Sequence, residues 1–255
     1  MIISIVAVIL GVLMALGGLA PNLANGVAHT KLDEALNHPR VLQVQIHPAA
    51  PSVSVLNGAV DYTEVYAEDF TLSELPIHQM QLKVHHLNLD PGAEKLTLRE
   101  EAQGAVSLKL TEADLNKFLA SDTFKNVLNA VKAKQSILSS LDADIQDVNI
   151  QLRNDGVRIQ GTAATLGGFF TVPFTLEGQL RLKSERELVV QNVTGTTLGR
   201  PLPEDLLTTV LARINPIIDL NALGGNDMKL YFRRVKVTNN QLELLGEAHI
   251  RQLPR

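Results

Sequence analysis

Apolar residues in this chain repeat with two different periods. In Gly104–Leu128, GAVSLKLTEADLNKFLASDTFKNVL, the residues Val106, Leu108 and Leu110 alternate with polar neighbours, and then Leu115, Phe118 and Leu119 fall three and four apart. Alternation marks a strand with one covered face, and the longer spacing marks a helix with one apolar stripe. Thr111-Glu112-Ala113-Asp114 at the junction has the form of a capping box, with acids placed to suit the positive end of a helix. Ser121-Asp122 reads as a second N-cap. It opens a main helix from about Thr123 to Leu141, with Phe124, Val127, Leu128, Val131, Leu138 and Leu141 on one side and Lys125, Lys132 and Lys134 largely off it. A stripe of that kind needs a partner.

The same reading extends over the rest of the chain. Asn22 to His38 predicts a helix with Leu23, Val27, Leu32 and Leu36 to one side, ended by Pro39. Alternation then runs through Leu42, Val44 and Ile46. It continues past the hairpin dipeptide Asn57-Gly58 into Val60–Tyr66 and Leu75–Leu89. Met80, Leu82 and Val84 are in phase but Leu87 and Leu89 are not, so a bulge is expected near His85-His86. After the main helix come strands through Val148–Leu152, Val157–Ile159, Phe170–Leu182 and Leu188–Val193. Pro201 and Pro203 introduce a second helix whose apolar side is Leu206, Leu207, Val210, Leu211 and Ile214, stopped by Pro216. A hairpin closes the chain, with Leu230, Phe232, Val235 and Val237 on one arm, Leu242, Leu244, Ala248 and Ile250 on the other, and a turn at Asn239-Asn240. The order is sheet, helix, sheet, helix, hairpin. Strands come in runs, which predicts an α+β class rather than a parallel α/β fold.

The N-terminus changes the picture. Ile2–Ala20 carries no charge. As a helix it spans about 28 Å, close to the ~30 Å of a bilayer's hydrocarbon. Residues 1–24 therefore separate as a membrane anchor or a signal peptide, and 25–255 as a single domain. A third reading makes the segment a buried helix of that domain. No Lys or Arg precedes it and only Lys31 and Arg40 follow closely, so the charge rule for topology is nearly silent.

Composition mostly excludes. A net charge of −4 argues against nucleic acid, and the absence of Cys removes thiol nucleophiles, disulfides and cysteine metal sites. The absence of Trp and an aromatic content of 4% leave little for base or sugar stacking. No nucleophile elbow, phosphate loop, dinucleotide fingerprint or zinc-protease motif occurs. The glycines of Gly161–Gly168 read as a bend between strands. The seven His are scattered, and adjacent His85 and His86 would point to opposite faces of a strand. Asp142, Asp144 and Asp147, with Glu187 elsewhere, are the acids that a calcium site or a glycosidase pair would need, but the ordered spacing of a calcium loop is missing. Asn192-Val193-Thr194 matches a glycosylation sequon.

The stretch Val106-Ser-Leu-Lys-Leu-Thr-Glu-Ala-Asp-Leu-Asn116 resembles the strand-into-helix signature of the bacterial LmeA-like phospholipid-binding proteins. Leu42–Ile46, Asn57-Gly58-Ala59-Val60 and Leu75–Leu89 upstream extend the resemblance, as do Val148–Leu152, Phe169-Phe170-Thr171-Val172-Pro173-Phe174 and Val235–Ile250 downstream. That family is similar to tubular lipid-binding proteins. The resemblance implies a strongly curved antiparallel sheet, a tube or open barrel, wrapped around a long amphipathic helix, with acyl chains held in the apolar groove between them. Groove positions would be Val106, Leu108, Phe124, Val127, Leu128, Val131, Leu138, Phe170, Val172 and Phe174, with Lys132, Lys134 and Arg200 near the head group. It implies a phospholipid or other diacyl lipid as partner and no catalytic residues, metal or cofactor. The expected setting is membrane-anchored and extracytoplasmic, in the cell envelope. The alternatives are a structural or assembly factor with a filled core, and an envelope hydrolase built on converging acids and a His.

Overall fold

The computed structural model describes residues 33, 36–48, 59–72, 74–90, 97–122, 124, 144–154, 156–165, 170–219 and 228–250. The first sheet is built from β1 (Val41–Pro48), β2 (Ala59–Leu72), β3 (Leu75–Asp90), β5 (Ala102–Thr111), β13 (Gln241–Ile250) and β12 (Met228–Thr238), in that order. The short β4 (Thr97–Leu98) sits beside β3. The second sheet runs β10 (Arg200–Pro201), β9 (Glu187–Thr197), β8 (Phe170–Ser184), β7 (Gly156–Thr165), β6 (Asp144–Arg153), with β11 (Ile218–Asp219) on β9. Every strand pair is antiparallel. Two helices are described, α1 (Glu112–Leu119) and α2 (Glu204–Ile214).

This corrects the expected fold class. The described chain is mostly β. Its strands form two open sheets not closed into a barrel, and its helices have 8 and 11 residues. No long amphipathic helix wrapped by a sheet is seen among the described residues. The reason lies in pairing. β13 hydrogen-bonds to β5, from Gln241↔Thr111 to Ile250↔Ala102, so the closing hairpin returns to the first sheet and leaves β6–β9 to form a second. Of the expected helix Thr123–Leu141 only Phe124 is described. The N-terminal hydrophobic segment, most of Asn22–His38 and the Asn57-Gly58 turn also lie outside the described residues.

Along β5 the burial alternates strictly from Ala102 to Leu110. Near His85-His86 the phase does switch, with Val84 and Leu87 both buried and His86 at φ +51°. The register with β2 is unchanged on either side, Tyr62↔His85 and Val60↔Leu87, so both strands turn over together and no extra residue is inserted. The capping box at Thr111 is present: the Asp114 N–H donates to Thr111 Oγ1 (3.1 Å) and the Thr111 N–H to Asp114 Oδ2 (2.8 Å).

The two sheets share one hydrophobic core. α1 touches β3 of the first sheet and β6 of the second, and β12 touches β8 and β6. Leu115 and Leu119 of α1 are buried in the seam. The helix also closes an exposed edge. β6 ends the second sheet, and an edge strand offers unpaired N–H and C=O groups. Asn116 meets both groups of Ile150: it accepts from the N–H at 2.7 Å and donates to the carbonyl at 2.9 Å. Glu112 accepts from the Leu152 N–H at 2.8 Å. Beyond it, the Asn154 and Asn239 side chains each accept from the other's backbone N–H, at 3.2 and 3.3 Å. Asn215, just after α2, repeats the device on Val190 of β9, with bonds of 2.9 and 3.0 Å.

Candidate functional site

The core-facing row of β8 does not stop at the core. Leu176 is 0% exposed and Phe174 3%, Val172 is half-buried, and Phe170 is 61% exposed. Side chains two apart share a face, so these four form one apolar track from the interior to the surface. On β7 the track is flanked by Ile159, Gly161, Ala163 and Thr165, which pair with Leu176, Phe174, Val172 and Phe170 in turn. Gly161 and Ala163 thus set small residues opposite Phe174 and Val172. A Cβ on Gly161 would lie 2.7 Å from the Phe174 ring, so the ring's seat requires glycine there. The last pair between β8 and β9 is Thr175↔Thr196. From Phe170 to Phe174 β8 is therefore paired on the β7 side alone, and β9 has turned away at Leu198-Gly199 into β10.

Such a row offers no directional chemistry. What it offers is shelter for hydrocarbon, at ~0.8 kcal/mol for each methylene removed from water.

The other sequence-derived groove positions divide. Val106 (5% exposed), Leu108 (1%) and Phe124 (3%) face the common core and are enclosed. Val127, Leu128, Val131 and Leu138 lie outside the described residues, as do Lys132 and Lys134. Arg200 is exposed in β10, beside the Leu198-Gly199 turn.

A groove of about 800 Å³ crosses the opposite, outer face of the first sheet, with Val41, Tyr66, Ala105 and Leu245 in its lining. Its charges are paired with one another. Lys83 meets Glu64 at 2.6 Å and lies over the Tyr62 ring, 4.1 Å from its centroid. Arg40 meets Glu68 at 2.5 Å and Asp69 at 2.6 Å. The hydrogen bond from Lys83 holds the Glu64 carboxyl below its ordinary range, and that from Arg40 does the same for Asp69; partial desolvation opposes both. The Tyr66 hydroxyl donates to Glu68, which raises its pKa. Cations already held by carboxylates make this groove a poor seat for a phosphate. Because Glu64 titrates lower folded than unfolded, its contribution to stability is present above the unfolded value and lost as pH falls through the folded one. Lys83→Met is expected to return the Glu64 titration toward that of a free carboxylate, read from side-chain carboxyl NMR shifts.

The remaining candidates do not converge. Asp144 pairs with Ala164 at one end of the second sheet, whereas Glu187 opens β9 at the other. His47 stacks on Tyr62 with centroids 4.0 Å apart, His78 meets Asp69 and His249 meets Glu101, each at 2.8 Å. Among the described residues no three His or acidic groups come together as a metal site.

The family model of LmeA-like phospholipid-binding proteins matches residues 15–247. The chain belongs to that family. No curated protein and no solved structure matches it. Membership in the LmeA-like family supports lipid binding in general, and it bears out the resemblance carried by Val106–Asn116. In this LmeA-like chain, that stretch is one of the pieces that join the sheets. Sequence reasoning missed the roles of Glu112, Asn116 and Asn215. It also missed Leu198, although a Leu-Gly pair where a hairpin usually carries Asn-Gly was a visible signal.

Proposed function

We propose that this LmeA-like chain is a non-catalytic phospholipid carrier of the cell envelope. It shelters an acyl tail along the Phe170–Val172–Phe174 row, and its N-terminal hydrophobic segment holds it at the membrane. Family membership supports the lipid. The observation that carries the location is the single β8 face passing from 61% to 3% exposure within five residues of chain, Phe170 to Phe174. A tail laid there meets apolar side chains throughout, while the head group stays at the mouth near Arg200 and water.

A second reading also has an observation in its favour. Val106, Leu108, Phe124 and Phe174 are all buried members of the common core, which suits a lipid-free assembly factor with a filled interior. Native extraction of the full-length protein from fractionated cells, followed by lipid mass spectrometry, separates the two. The carrier is expected in the envelope membrane fraction with stoichiometric phospholipid. Folded, lipid-free protein selects the assembly factor, and recovery from the soluble cytoplasm overturns the envelope setting.

A further inference from the structure

Two large hydrophobic side chains stand exposed among the described residues: Phe170 at 61% and Leu198 at 86%. Isolated apolar residues scattered over a surface are ordinary. These two are not scattered. Phe170 opens β8, paired with Thr165 at the end of β7, and Leu198 follows the last residue of β9. Both lie at the same end of the second sheet, where the apolar track reaches the surface at Phe170.

The backbone at Leu198 adds an independent point. Thr197 pairs with Arg200, so Leu198-Gly199 is a two-residue hairpin turn, with φ of +48° and +76°. Both values fall in the left-handed region. Asn, Asp or Gly takes the first position of such a turn at little cost, whereas a bulky side chain there is an outlier. A leucine in a strained setting and almost wholly in water contributes nothing to the packing of the fold. Arg200 is exposed two residues on, in β10, and Glu204 and Asp205 are exposed at the start of α2. With charges of both signs following the turn, contact comes from burying the apolar tips.

We infer that this end of the second sheet docks on a lipid bilayer, with Leu198 and Phe170 entering the acyl region and the mouth of the track opening onto it. The inference rests on the phospholipid reading above and gives the carrier its loading face. β8 runs five residues past Thr175 to reach Phe170, roughly 16 Å of strand, and the β9–β10 turn is shorter. A bilayer touching both tips therefore lies oblique to the strands.

The chain has no Trp, so a single introduced indole is a clean reporter. In the full-length protein mixed with phosphatidylcholine vesicles, Leu198→Trp is expected to give a blue-shifted emission that is quenched by lipids brominated along the acyl chain. Lys183→Trp, near the far end of β8, is expected to keep its aqueous spectrum. Docking is overturned if the Leu198→Trp emission stays aqueous, if both reporters shift alike, or if the shift occurs without vesicles through self-association or a protein partner. Leu198→Asn suits the left-handed turn and should fold at least as well as the parent. It is expected to slow uptake of a fluorescent phosphatidylcholine from vesicles by about tenfold, as loss of one buried leucine implies, with the lipid bound at equilibrium unchanged. Co-purified lipid with an aqueous Leu198→Trp spectrum would sink the docking face alone. An inserted indole on a lipid-free protein would sink the carrier reading alone.

Discussion

A Val172→Glu protein is expected to fold and to purify with at least tenfold less phospholipid than the parent. Val172 is the midpoint of the β8 track, half-buried between the enclosed Phe174 and the exposed Phe170. At the fringe of the core a glutamate reaches water by a small rotation, so the cost in stability stays near ~1 kcal/mol. A lipid tail lying on the row would take that water away. A carboxylate pressed against hydrocarbon without a partner costs several kcal/mol or takes up a proton, and ~1.4 kcal/mol already lowers occupancy tenfold. Thr171→Glu is the matched control, since its side chain is exposed on the other face of the same strand. Lipid mass spectrometry on both variants, with circular dichroism to establish folding, decides the point. A folded Val172→Glu protein that keeps its lipid would move the tail away from β8.

That assignment differs in kind from what alternation alone provided. Period two says which side of a strand is covered, and for Val106, Leu108, Phe174 and the closing hairpin that side is indeed covered. It does not say what covers it. Phe170 and Phe174 carry the same sequence signal, yet one is in water and one in the core: Phe174 adjoins the last β9 pair, at Thr175, and Phe170 lies five residues beyond it. Pairing partners are equally invisible. Nothing near Gln241 or Thr111 announces that they face one another, and the return of β13 to β5 is what divides the strands into two sheets. Local chemistry fared better: the Thr111 cap, the start of α2 at Pro203-Glu204 and the Asn239-Asn240 turn are each set by residues within one turn of the chain.

The resemblance signature has a physical meaning that a periodic reading could not supply. Val106, Leu108 and Leu110 anchor β5 in the first sheet, Thr111 and Asp114 start the helix, and Glu112 and Asn116 reach across to the second. One short run thus contains a sheet strand, a cap and a clasp in fixed phase. Shifting Asn116 by a single residue would rotate it about 100° around the helix, away from β6. The clasp thus holds β6 of the second sheet to the helix that follows β5 of the first.

Asn116→Leu is accordingly expected to cost about 2–4 kcal/mol of stability, the largest loss foreseen for a side chain that is only half-buried. The substitution is close in volume and suits a helix, so packing and propensity do not oppose it. Two hydrogen bonds vanish together, and the Ile150 N–H and C=O are left facing an apolar side chain. Each unsatisfied group costs about 1–3 kcal/mol, partly relieved where water reaches the seam. For a chain of this size each kcal/mol lowers Tm by roughly 2–4 °C, so a fall of about 10 °C is expected in a thermal melt. Hydrogen exchange supplies a local readout. The Ile150 amide should lose protection well beyond the global change, and Leu152, still held by Glu112, should lose less. Asn116→Asp keeps an acceptor for the Ile150 N–H but sets a carboxylate oxygen against the carbonyl, so it should be destabilised as well, and more at neutral pH than in acid. A melt shifted by less than about 2 °C, with Ile150 still protected, would mean that apolar contacts through Leu115 and Leu119 hold the sheets together without the clasp.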